Sequence, residues 1–153
     1  GTGGNSTQEA VELTQKASEH GADYVLIVTP YYNKPNQEGL FQHFIKIADT
    51  VEIPQILYNV PSRTACDLMS ETVMRLANHQ NIVGIKEALD STERLSELKN
   101  ISKSIADQKN FSVFSGDDPT FNSFMANGGD GVISVAANVV PSYISKICSL
   151  NLF

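Results

Sequence analysis

The chain has 153 residues, 41% of them hydrophobic and 18% charged, with a net charge of -6 and a pI near 4.9. That length suffices for one domain with a sizeable core, and the acidic balance argues against nucleic acid or an anionic membrane as a general partner, since both demand a basic footprint. No apolar run is long enough to span a bilayer, and the opening "GTGGNSTQEA" lacks the basic and apolar regions of a targeting signal. Cys66 and Cys148 lie far apart, without C-x-x-C spacing or histidine company, so zinc and redox motifs are unsupported and two unpaired thiols fit a reducing, cytoplasmic compartment.

Taken in order, the chain repeats one pattern: a short β-rich apolar run, a polar or Gly/Pro turn, then a longer amphipathic segment. A helix is predicted over 6–20, with Gly21 as a left-handed cap that returns the chain to a strand, "DYVLIVT" (23–29). The loop "TPYYNKP" leads to a helix over 37–50 and to the strand "QILYNV" (55–60). Ser70 with Glu71 opens a helix over 70–78, and "NIVGIKE" (81–87) follows as the third strand. A helix over 91–104, the strand "FSVFS" (111–115), a helix over 119–127 and the strand "GVISV" (131–135) come next, and a helix over 141–150 closes the series. Asp118 with Pro119 reads as the start of the 119–127 helix, and Gly128 with Gly129 as its stop.

Strands separated by crossover helices imply right-handed βαβ units and a parallel sheet, which both an open doubly wound sheet and a (β/α)8 barrel satisfy. The Gly-rich "GTGGN" imitates a phosphate loop, but no strand precedes it and no acidic residue follows in the expected place, so a dinucleotide site is poorly supported. Polar residues at the C-terminal end of every strand favour the barrel, which builds its active site there. They are Thr29, Tyr31 and Tyr32; Tyr58, Asn59 and Arg63; Lys86 and Glu87; Ser115, Gly116 and Asp117; and Ser134.

Alternation along a strand puts Gly84 and Lys86 on one face, and Ile56 with Tyr58 on one face of the neighbouring strand. If both faces look into the barrel, an amine and a phenol converge on one cavity. A neutral amine nucleophile needs its pKa brought from about 10.4 to roughly 7 to 8, by desolvation or a neighbouring cation, and Arg63 could supply that cation. For Lys86 the plainer reading is a lysine snorkelling to solvent at a strand end; for Tyr58 it is a core aromatic with a satisfied hydroxyl. Arg63 offers a planar fork for a carboxylate, or merely a surface ion pair. Asp117 and Asp118 read as helix capping sooner than as a metal site, because no histidine or further acid completes one. His20, His43 and His79 fall on helices, away from the strand tips, while Tyr31 and Tyr32 line a pocket or an interface, or pack on the chain's own helices.

The segments "VTPYYNKPNQEGL", "QILYNVPSRT", "IVGIKEA", "FSGDD" and "GGDGVISVAANV" together resemble the dihydrodipicolinate synthase family, in the same order and over essentially the whole chain. The resemblance implies a (β/α)8 barrel in which pyruvate forms a Schiff base with a lysine and then attacks L-aspartate-4-semialdehyde, giving 4-hydroxy-tetrahydrodipicolinate for lysine and diaminopimelate biosynthesis. It implies no cofactor and no metal beyond that covalent imine. By resemblance, Lys86 is the imine-forming lysine, Tyr58 the proton-relay tyrosine, and Tyr32 the tyrosine that crosses a tight dimer interface into the neighbouring site. Arg63 is similar to the arginine that holds the semialdehyde's carboxylate, and Ile133 and Gly116 to backbone positions around pyruvate. Asn5, Glu9 and Tyr31 match an effector site for lysine in the members that lysine inhibits. By the same resemblance the protein is cytoplasmic and, as family members usually are, a homotetramer built from two tight dimers.

The family pattern departs in length, because a whole barrel takes about 250 residues and five strands cannot close one of eight. The expectation is one partial-barrel domain over 1–153, from the end of a third strand through the helix after an eighth, inactive or poorly folded alone with apolar strand edges exposed. The tyrosine and lysine also occur in N-acetylneuraminate lyase and sugar-acid aldolases, and a catalytically silent paralogue is a further alternative. "PSRT" favours the lysine-pathway substrate, since Arg63 suits a short carboxylated aldehyde better than a polyol.

Overall fold

Ser6 accepts the amide hydrogen of Glu9 at its Oγ and so starts helix α1 (Thr7–Glu19), which Gly21 ends with φ +80°. The computed structural model describes residues 1–150. Strand β1 (Val25–Val28) leads through the Tyr31–Pro35 loop to α2 (Gln37–Thr50), capped by Asn36, and on to β2 (Gln55–Asn59). Then follow the short helix α3 (Pro61–Thr64), α4 (Ser70–Ala77), β3 (Ile82–Glu87), α5 (Thr92–Ser104), β4 (Ser112–Ser115), α6 (Phe121–Ala126) and β5 (Gly131–Val132). One 3-10 turn (Ala136–Asn138) and α7 (Pro141–Leu150) complete the described chain.

The five strands form one parallel sheet in the order β1-β2-β3-β4-β5. A doubly wound sheet reverses its strand order and carries helices on both faces. Here the order never reverses, and α1 packs on α2, α2 on α4 and α4 on α5 in a single layer. Val25, Ile27, Leu57, Ile82, Ile85 and Val113 face that layer and meet Leu40, Phe44, Ile47, Val73, Leu76 and Leu98 in the core. Each such side chain fully removed from water contributes roughly 2 kcal/mol. The alternate residues Leu26, Val28, Ile56, Tyr58 and Phe114 line the other, concave face and are only half buried.

Residues 1–4 run beside β1, where the Thr2 amide donates to the Leu26 carbonyl at 3.0 Å. A Cβ at Gly3 would collide with the backbone nitrogen of Val28, which is why this approach needs glycine.

Several elements differ from the sequence reading. Ser70 is not a cap: Met69 precedes the helix, and the Ser70 hydroxyl donates to Glu97 instead. Neither aspartate caps α6, whose N-cap is Thr120. Asp117 accepts from the Thr120 hydroxyl, while Asp118 accepts from the Ala136 amide at 2.8 Å and so caps the 3-10 turn. The expected strand over 131–135 stops at Val132, with one further bond from the Ile133 amide to the Ser115 carbonyl. Beyond it Ser134 accepts from Ala137, and these two side-chain acceptors bend the backbone away from the ladder. Helix α3 was missed because its four residues are too short to show a period.

Candidate active site

The site is built where β2 and β3 end. Their register pairs Tyr58 with Lys86 and Asn59 with Glu87, and an irregularity between Gln55 and Ile56 sets it. Tyr58 and Lys86 therefore share the concave face, and the Lys86 Nζ lies 4.1 Å from the centroid of the Tyr58 ring. Lys86 keeps only 7% of its surface exposed, so it does not snorkel to solvent. Burial pushes its pKa below that of an ordinary lysine, against the pull of the Asp118 carboxylate. Arg63 is not the cause of that shift, as the sequence reading had allowed. Its charge acts on Tyr58, whose hydroxyl burial pushes up while Arg63 pulls it down and Asp117 pushes it further up.

The glycines around the lysine have steric explanations. Gly84 shares the lysine's strand, but a Cβ there would stand 2.6 Å from the Ser112 carbonyl oxygen, so it is the approach of β4 that demands glycine. Gly116 does border Lys86: a Cβ there would lie 3.0 Å from Cε and 3.1 Å from Cγ. Its amide donates to the Glu87 carbonyl at 2.7 Å, and Ile133 is half buried beside Ser115 at the next tip.

Arg63 is exposed on α3, held above the end of β2. A cavity of about 440 Å³ opens there, with Gly3, Leu26, Val28, Tyr31, Tyr58 and Arg63 among its lining. Tyr58 thus borders both this cavity and the lysine. Tyr32 does not join them: it is 88% exposed, with φ at +74°, a left-handed conformation unusual for an aromatic residue. Asn5, Glu9 and Tyr31 lie toward one end of α1, where the Asn33 side-chain amide donates to the Asn5 carbonyl and ties the loop to that end.

Not every polar strand-end residue faces the cavity. Thr29, Asn59, Glu87 and Ser115 are buried, on the strand faces that carry Ile27, Leu57, Ile85 and Val113. The Asn59 Nδ2 donates to both Glu87 oxygens at 3.1 and 3.0 Å and to Asp67 at 2.8 Å, while its Oδ1 accepts from the Leu68 amide. Arg94 of α5 grips Asp67 at 2.8 Å and lies 3.5 Å from Glu87. Burial pushes the Glu87 carboxyl up to about 7, opposed by its bonds from Asn59 and Leu89 and by Arg94, with Asp67 adding to the rise. Asp67 and Arg94 were missed in the sequence, since nothing in their spacing links a loop residue to a helix residue 27 positions on. The pleat explains why Asn59 and Glu87, though polar and at strand ends, turn away from Tyr58 and Lys86.

Among the described residues no group of three or more His, Cys, Asp or Glu is placed to hold a metal ion, and no helix is long and apolar enough to cross a membrane. Cys66 and Cys148 are free thiols. His43 is buried beneath α1, with Nδ1 2.8 Å from the Thr7 hydroxyl, and His79 pairs with Asp49 at 3.2 Å.

A buried amine against a phenol, at the tips of a singly wound parallel sheet, agrees with the comparisons to known proteins. The family model described as "Dihydrodipicolinate synthetase family" matches residues 1–152. The chain belongs to the dihydrodipicolinate synthetase family. It is 59% identical over 149 residues to 4-hydroxy-tetrahydrodipicolinate synthase of Pseudomonas syringae pv. syringae, covering 97% of this chain and 49% of that protein. Among solved structures, dihydrodipicolinate synthase from Aquifex aeolicus superposes with a TM-score of 0.93 at 46% identity, over 99% of this chain and 50% of that one. The chloride-inhibited enzyme from Acinetobacter baumannii, complexed with pyruvate, gives 0.89 at 50% identity over the same shares. The chain spans about half the length of the relatives it matches, and its sheet is a partial (β/α)8 barrel of five strands.

Proposed function

We propose that this chain carries the imine-forming half of a 4-hydroxy-tetrahydrodipicolinate synthase, a lyase that condenses pyruvate with L-aspartate-4-semialdehyde. The observation that carries this reading is the buried Lys86 amine held 4.1 Å from the Tyr58 ring on the concave face, in a chain 59% identical to an enzyme of that name. The neutral Nζ adds to the keto carbon of pyruvate. The carbinolamine then loses water with a proton from the Tyr58 hydroxyl, leaving an imine on Lys86. Deprotonation of the imine's methyl gives an enamine, which forms the new carbon–carbon bond to the aldehyde. The Arg63 guanidinium, exposed above the cavity, suits the semialdehyde's carboxylate in a way that a polyol would not exploit. Gly116 and Ile133 border pyruvate, and no cofactor or metal takes part.

Tyr32 serves a neighbouring subunit in this reading. Its side chain is 88% exposed at a left-handed backbone position, and the interface of a dimer of dimers would bury it. Asn5, Glu9 and Tyr31 form the lysine effector site of the same interface. The protein acts in the cytoplasm, in lysine and diaminopimelate biosynthesis.

The test is reductive trapping with pyruvate and borohydride, followed by peptide mapping. It is run on this chain and on a graft in which the chain replaces the matching segment of the Pseudomonas syringae enzyme. A reduced pyruvyl adduct on Lys86 is expected in the graft, and Tyr58→Phe should slow its formation by about 10²-fold, as for loss of a general acid. An intact graft that traps no pyruvate on Lys86 overturns the reading.

A further inference from the structure

The tips of β2 and β3 carry two sets of residues, back to back. On the concave face stand Tyr58 and Lys86; on the opposite face their sequence neighbours Asn59 and Glu87 stand in the next register pair. Asn59 has no exposed surface, and both ends of its amide are used: Nδ2 on Asp67 and Glu87, Oδ1 on the Leu68 amide. The bonds to Asp67 and Leu68 close the 60–68 segment on itself, and that segment includes α3 and Arg63. Glu87 in turn accepts from the Leu89 amide at 2.8 Å and fixes the chain just after Lys86. Arg94 locks the far side, with Nη2 on Asp67 and Nη1 on the Leu68 carbonyl, both at 2.8 Å.

We propose that Asn59, with Glu87, Asp67 and Arg94, is a positioning device: it clamps the two strand tips and the 60–68 segment so that Lys86, Tyr58 and Arg63 keep one mutual arrangement. None of the four touches the reacting atoms. The clamp acts through the backbone, since moving Asn59 moves Tyr58 and moving Glu87 moves Lys86. A polar network whose hub is buried and whose members are all engaged is rigid, whereas an apolar contact in its place would let the tips slide. The inference rests on the reading of Lys86 as the imine-forming amine.

Two variants that leave the net charge unchanged, made in this chain and in the graft, test it: Asn59→Ala removes the hub, and Arg94→Lys keeps the cation but loses the fork. Leu98→Ala, in the apolar core on the same helix as Arg94, serves as a control for lost stability alone. Competitive acetylation over a pH series reads the titration of the Lys86 amine, and pyruvate trapping reads its rate and half-saturating concentration. The clamp predicts that both variants let water reach Lys86, so its titration moves up toward that of an ordinary lysine. The trapping rate at saturating pyruvate falls about 10-fold to 10²-fold with little change in half-saturation, as for a misplaced nucleophile. Leu98→Ala lowers the urea midpoint without moving the titration. Equal titration curves in the wild type and both variants, or a Leu98→Ala shift as large as theirs, overturn the proposal. Should Lys86 trap no pyruvate in the graft with wild-type residues, the functional reading fails, and the acetylation titrations still decide whether the clamp exists.

Discussion

Replacing Gly116 by alanine tests how closely the lysine is confined. The added methyl would stand 3.0 Å from Lys86 Cε, and 3.1 Å from Lys86 Cγ and from Ala88 Cβ. Those separations fall about 0.5 to 1 Å inside the carbon–carbon optimum of roughly 3.5 to 4.0 Å. The Gly116 backbone is not in the left-handed region, so contacts alone bear the penalty. Two of the three atoms belong to a flexible side chain, which places the stability loss at the low end of the roughly 1 to 3 kcal/mol typical of overpacking. The same flexibility makes the functional loss large, because relief comes from swinging Lys86 away, and a displacement of about 1 Å lowers a reaction rate by about 10²-fold. Pyruvate trapping on Lys86 measures the rate and a urea melt measures the stability. A variant that traps at the wild-type rate while remaining folded would refute the claim that Gly116 shapes the path of the lysine. Gly84→Ala gives the contrasting case: its methyl meets the Ser112 carbonyl, a backbone atom that cannot swing away, so stability should fall by about 3 kcal/mol.

Two further outcomes concern the rest of the molecule. The Lys109 Nζ donates to the carbonyls of His79 and Ile82, and Lys109→Met, which keeps the stem and strips the donors, should lower stability by about 1 to 3 kcal/mol in urea denaturation. Burial holds the His43 imidazole down at about 4, against an ordinary 6.5, so the folded state resists the proton that the unfolded state takes up. The stability this gives is complete above pH 6.5 and lost as pH falls to 4, about 3 kcal/mol in all. Denaturation from pH 7 down to 4 should show His43→Gln losing less stability than the wild type, and parallel curves would refute the assignment.

Much of this protein was determined by its sequence. Five apolar runs of β-branched residues, each followed by an amphipathic stretch, suffice to specify a parallel α/β sheet, because local hydrophobic period is a property of the chain itself. Strand alternation likewise grouped Lys86 with Gly84 and Tyr58 with Ile56, although the register of β2 on β3 was needed to bring the two pairs onto one face. Tertiary structure alone decided what those faces meet. Whether the sheet was doubly wound or a barrel wall depended on strand order and on a single layer of helices, which no local period encodes. The cause of the lysine's lowered pKa turned out to be burial, with Arg63 acting on Tyr58, because desolvation depends on everything packed around a group. The partnership of Asn59, Asp67, Glu87 and Arg94 joins three separate stretches of chain, and only folding brings their polar atoms within hydrogen-bond reach.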